Sequence, residues 1–96
     1  MTRLLATQQY IKVIREVDSI TQKDTEQERT IYLYEDKVVT KYREFRIDIV
    51  DDMSYRFIGQ QGGVLYLHTN KGVFSYIVKV SPVSFVRAFD DLKGKI

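Results

Sequence analysis

Apolar residues recur at every second position through most of this chain, and the period lengthens only near the end. Thr30-Ile31-Tyr32-Leu33-Tyr34 sets Ile31 and Leu33 on one side and two tyrosines on the other, the pattern of a half-buried strand. Glu35-Asp36-Lys37 is a polar break suited to a hairpin, and Val38 to Arg43, rich in β-branched residues, reads as the return strand. After a further break at Arg43-Glu44, Phe45-Arg46-Ile47-Asp48-Ile49 alternates strictly with Phe45, Ile47 and Ile49 inward, until Asp51-Asp52 interrupts it. Met53 to Ile58 alternates again, with Tyr55 and Phe57 opposite Ser54 and Arg56. Gly59-Gln60-Gln61-Gly62-Gly63 is a loop, because its glycines oppose a strand. Val64–Thr69 and Val73–Val80 flank Asn70-Lys71-Gly72, which predicts a type I turn closed by a left-handed glycine.

The ending is helical. Ser81 suits an N-cap and Pro82 the first helical position, and Phe85, Phe89 and Leu92 then fall on one stripe. Gly94 is placed to end a helix over 82–93. The beginning is mixed: Leu4, Leu5, Ala6, Gln8 and Gln9 are helix formers, whereas Ile11, Val13, Ile14 and Val17 favour a strand over about 9–17. Residues 18–28 read as a polar, acidic, mobile loop. The whole predicts a mainly β fold with one C-terminal α-helix: about seven short strands in an antiparallel meander whose apolar face the Phe85/Phe89/Leu92 stripe covers.

Length and composition narrow the class. The 96 residues fit one domain, 1–96. A hydrophobic share of 44% excludes a disordered chain, and the low Gly and Pro content excludes a collagen-like or linker-like one. There is no cysteine, so disulfide and thiolate chemistry are excluded. No apolar run approaches the roughly 18 residues of a membrane span, and the N-terminal stretch lacks the apolar core of a secretion signal. The expected location is cytoplasmic. The net charge of +2 conceals an alternation of sign. Asp18, Asp24, Glu26, Glu28, Glu35 and Asp36 outweigh Lys23 and Arg29, whereas Lys37, Lys41, Arg43 and Arg46 outweigh Glu44.

Candidate chemistry is sparse. His68 is the single histidine, so a Ser-His-Asp triad or a histidine metal site would need it; its strand position reads as a partly exposed sheet residue. Adjacent carboxylates in Asp51-Asp52 point to opposite faces of a strand and make no acid/base dyad. The Gly59…Gly63 loop lacks the Gly-Lys-Ser/Thr ending and following helix of a phosphate loop. No catalytic residue, metal or cofactor is expected. The one promising surface is the outward face of residues 30–49, where Tyr32 and Tyr34 interleave with Lys41, Arg43 and Arg46. Exposed aromatics among cations suit a protein partner, which leads; a phospholipid head group or single-stranded nucleic acid is the alternative. Unpaired edge strands also allow a homodimer.

The order of strands followed by an amphipathic helix resembles the small bacterial pleckstrin-homology-like domains. The carriers are Tyr32-Leu33-Tyr34-Glu35-Asp36-Lys37-Val38-Val39, Ile47-Asp48-Ile49, Ser54-Tyr55-Arg56 and Gly63-Val64-Leu65-Tyr66-Leu67-His68-Thr69, leading through Lys71-Gly72-Val73 to Ser81-Pro82…Phe85. The resemblance implies a seven-stranded antiparallel barrel or sandwich capped by the helix. In eukaryotic members it implies binding of inositol phospholipid head groups by basic residues around the first loop. Here that stretch, 18–28, is acidic, and Lys37…Lys41-Tyr42-Arg43 matches the basic signature within a single predicted strand.

Overall fold

The computed structural model describes residues 3–17, 22–59 and 62–94. Its strands are β1 (Leu4–Val17), β2 (Gln22–Tyr34), β3 (Lys37–Val39), β4 (Glu44–Arg46), β5 (Val50–Phe57), β6 (Gly63–Thr69) and β7 (Gly72–Val78). A 3-10 turn, Ile47–Ile49, joins β4 to β5, and the helix α1 (Val83–Leu92) follows β7. All strands lie in one open antiparallel sheet of order β4-β3-β2-β1-β7-β6-β5.

The two edge strands of that sheet, β4 and β5, are neighbours in the chain. The short turn between them spans at most about 14 Å, so the sheet curls to bring its edges together. Curling turns one face into a single core. Ile31, Leu33 and Val38 from one half meet Val50, Met53, Leu65 and Leu67 from the other, all buried. Phe45 of β4 packs against Phe74 of β7 with ring centroids 4.9 Å apart, a contact across the curl rather than along it.

The helix covers this core as its stripe predicts. Phe85 and Phe89 are fully buried, Val86 is buried, and the helix lies against β1 and β5. Pro82 occupies the N-cap position, one residue later than expected, with the Ser81 hydroxyl accepting from the Val83 N–H at 3.4 Å. At the other end Gly94 takes φ +73°, and the Lys93 ammonium donates to the Ile47 carbonyl at 3.0 Å, tying the helix to the 3-10 turn. The β6–β7 hairpin also forms as expected: Gly72 takes φ +129° while Asn70 and Lys71 stay at negative φ.

Four local expectations are corrected. Residues 22–28 are not loop; they belong to β2 and pair with β1, from Val17 opposite Gln22 to Ile11 opposite Glu28, while 18–21 lie outside the described residues. The expected strand Val38–Arg43 stops at Val39, because the Thr40 hydroxyl accepts from the Arg43 N–H at 3.1 Å and the Thr40 N–H donates to the Arg43 carbonyl at 2.8 Å. A threonine hydroxyl that bonds three residues ahead closes a turn instead of extending a ladder. Phe45, Ile47 and Ile49 all lie against the core as expected, but only Glu44–Arg46 is strand, since Ile47–Ile49 wind into the 3-10 turn that crosses from edge to edge. Asp51-Asp52 does not break β5, which runs through both with a register shift between Val50 and Asp52. A bulge of this kind absorbs the extra residue and bends the strand.

Candidate functional site

β1 and β7 are paired at one point, Ile11 opposite Ile77. Beyond it the two strands part. Among the described residues β1 continues through Val17 paired with β2 alone, so residues 12–17 and their partners 22–27 form a two-stranded arm. At about 3.3 Å per residue the arm projects roughly 20 Å, in keeping with overall dimensions of 52 × 30 × 23 Å. A groove of about 470 Å³ occupies the wedge where the strands separate.

Register assigns its walls. Ile11 and Ile77 are directly opposed, so they share one face with Val13 and Ser75, each two residues away along its strand. Tyr10, Lys12 and Tyr76 occupy the other face, joined by Arg29, which lies directly opposite Tyr10. The Tyr10 and Tyr76 rings meet edge-on at 5.0 Å and 77°. The turn that ends β3 completes this concave wall with Thr40, Tyr42 and Arg43.

The concave wall is cationic. Lys12, Arg29 and Arg43 line the wedge, and among the described residues no Asp or Glu does. The Arg29 guanidinium lies 5.1 Å from the Tyr42 ring centroid and donates to the Gln27 side-chain oxygen at 3.0 Å. Its Nε is buried without an acceptor. The Arg43 guanidinium lies 4.8 Å over the Phe74 ring, and Lys41 places its ammonium 5.5 Å from Tyr42. Aromatic faces hold these cations in place without neutralising them. Burial raises the Tyr76 hydroxyl above the usual tyrosine value of 10.0, although its hydrogen bond with Thr40 and the charge of Arg43 act in the opposite direction. The wedge therefore offers cations and a protonated phenol, a donor-rich lining suited to an anionic group.

The structure does not gather the residues expected on the outward face into one surface. Tyr32 and Tyr34 do face outward and stack at 6.5 Å, with Lys37 5.5 Å from the Tyr34 ring. Lys37 is held protonated above its usual range by its hydrogen bond with Glu44, a salt bridge of 3.2 Å. Arg46 is exposed and paired with Asp48 at 3.2 Å, so its charge is locally answered. Lys41 and Arg43 leave the strand in the Thr40 turn, and Arg43 joins the wedge instead. Lys12, Arg29, Tyr10 and Tyr76 were missed by sequence reasoning. The signal that reveals them is the β1–β2 register, which sets Tyr10 against Arg29.

His68 lies on the outward face of β6, its Nε2 2.7 Å from the Ser54 hydroxyl of β5 and its ring 6.4 Å from that of Tyr66. Among the described residues no three His, Cys, Asp or Glu side chains come together as a metal site. No helix among them is long and apolar enough to cross a membrane. No family model, curated protein or solved structure matches this chain.

Proposed function

We propose that this chain is a non-catalytic binding module of pleckstrin-homology-like fold, which holds a protein partner through an anionic group seated in the wedge. The strand order β4-β3-β2-β1-β7-β6-β5, the curl that brings β4 to β5 and the covering helix support the fold reading. The observation that carries the function is the lining of the wedge: Lys12, Arg29 and Arg43, with no carboxylate beside them among the described residues. Charges gathered without counter-charges cost stability through mutual repulsion, and an anion in their midst relieves it. Asp24, Glu26 and Glu28 along β2, Glu26 bridged to Lys79 at 2.6 Å, set acidic groups beside the wedge and favour a small, discrete anion carried by a protein over an extended polyanion such as a nucleic acid or a charged membrane.

The test uses inorganic pyrophosphate as a probe of the anion site, with the Arg29 and Arg43 side-chain signals followed by NMR. Both signals are expected to move during the titration, with apparent affinity falling as salt rises. Arg43→Ala is expected to weaken binding at least tenfold, and Arg46→Ala, which removes a charge already paired, to leave it unchanged. Signals that stay fixed, or equal losses from both substitutions, remove this reading.

A further inference from the structure

Beyond the Ile11–Ile77 pair no further residue of β1 is paired with β7 among the described residues. β1 is paired on its other side with β2, and β7 with β6. Every second N–H and C=O of Lys12–Val17, and of Gly72–Tyr76, therefore points into the gap. The β1 segment has no proline and no register shift after Ala6, so its edge is regular enough to accept another strand. A two-stranded ribbon standing alone in water is marginal, and a third strand stabilises it.

We infer that the wedge receives an extended segment of a protein partner as an added strand on the β1 edge, its residues alternately acidic and apolar. This rests on the reading of the wedge as an anion site, and it adds what carries the anion and how the carrier is held. An added strand points its side chains alternately to the two faces of the arm. Those on the concave face meet Lys12, Arg29 and Arg43, where Arg29 has a buried Nε lacking an acceptor. Those on the opposite face meet Val13 and Ile77, which are 44% and 48% exposed. Glu28 shares that second face, opposite Ile11, and repels an acidic residue placed there, whereas Glu26, opposite Val13, is already bridged to Lys79 at 2.6 Å. The two faces thus demand different residue types, and their alternation selects both composition and phase.

The probe is a fluorescein-labelled seven-residue peptide alternating valine and glutamate, read by anisotropy against the intact chain. Two companion peptides carry backbone N-methyl groups, one on the glutamates and one on the valines. Only one of these sets of N–H groups faces β1, so one methylated peptide is expected to lose at least tenfold more affinity than the other. Hydrogen exchange is expected to slow at the Lys12–Val17 amides when the unmethylated peptide binds. Equal binding by both methylated peptides, or by a scrambled peptide of the same composition, overturns strand addition and leaves the anion site standing. Binding of pyrophosphate without binding of the peptide does the same, as does preference for phosphatidylserine vesicles. If neither pyrophosphate nor peptide moves the Arg29 and Arg43 signals, both readings fall.

Discussion

Arg29 is the residue at which the proposed binding and the stability of the fold can be separated. Its guanidinium rests on Tyr42 and reaches Gln27, yet its Nε is buried with no acceptor. An unpaired buried donor costs about 1–3 kcal/mol, more when the group is charged. The stacking on Tyr42 and the bond to Gln27 offset part of that cost and leave the Nε with an unspent donor. Arg29→Met keeps an unbranched stem against Tyr42 and removes the orphaned donor. The expected outcome is a urea midpoint equal to or above that of the parent, with pyrophosphate binding at least tenfold weaker. A large loss of stability with binding intact would mean that the guanidinium serves packing alone.

Among the elements, the Thr40 turn decides where the cations go. Val38, Val39 and Thr40 are β-branched, and local preference extends the strand through Arg43, which sets Lys41 and Arg43 beside Tyr32 and Tyr34. The Thr40 hydroxyl overrides that preference by accepting the Arg43 N–H, and Arg43 swings to the wedge. Thr40→Ala removes this bond and the Tyr76 hydrogen bond, and should lower stability by about 1–2 kcal/mol. The same substitution should weaken pyrophosphate binding, because Arg43 is no longer held over Phe74; unfolding curves and the NMR titration check the two effects separately. The strands that line the core were legible because burial forces alternation: Ile31 and Leu33, or Leu65 and Leu67, have to face inward. The arm was not legible for the same reason. Residues 24–28 lie beyond the core, neither of their faces needs to be apolar, and Asp-Thr-Glu-Gln-Glu carries no period to read. The candidate site was lost with the arm, since Lys12 and Arg29 become neighbours only through the pairing of β1 with β2.

The whole molecule then consists of two parts with unequal claims on stability. One is the curled sheet with its helix, where side chains from both halves share a single core. The other is the arm, which contributes no residue beyond Ile11 to the buried set among the described residues. β4 and β5 are held near each other by the short 3-10 turn and by α1, so the helix resists the uncurling that separates them. Gly63 marks a close approach within the β5–β6 hairpin, where a Cβ would lie on the Arg56 carbonyl oxygen of the neighbouring strand. Phe89 is fully buried in the helix stripe, and Phe89→Ala should cost about 3–5 kcal/mol through lost burial and the cavity left behind. That loss should not be uniform along the chain. Amides of β5, β6 and β7 that exchange through global unfolding should all speed up by the same free energy, because they share the core that the ring completes. Amides of the arm from Lys12 to Val17 exchange by local opening, independent of the core, and should keep their parent rates. Native-state hydrogen exchange on the parent and on Phe89→Ala measures both groups in one experiment. Arm amides that accelerate in step with the sheet would show that the arm is part of the cooperative unit and not a free limb carrying the wedge.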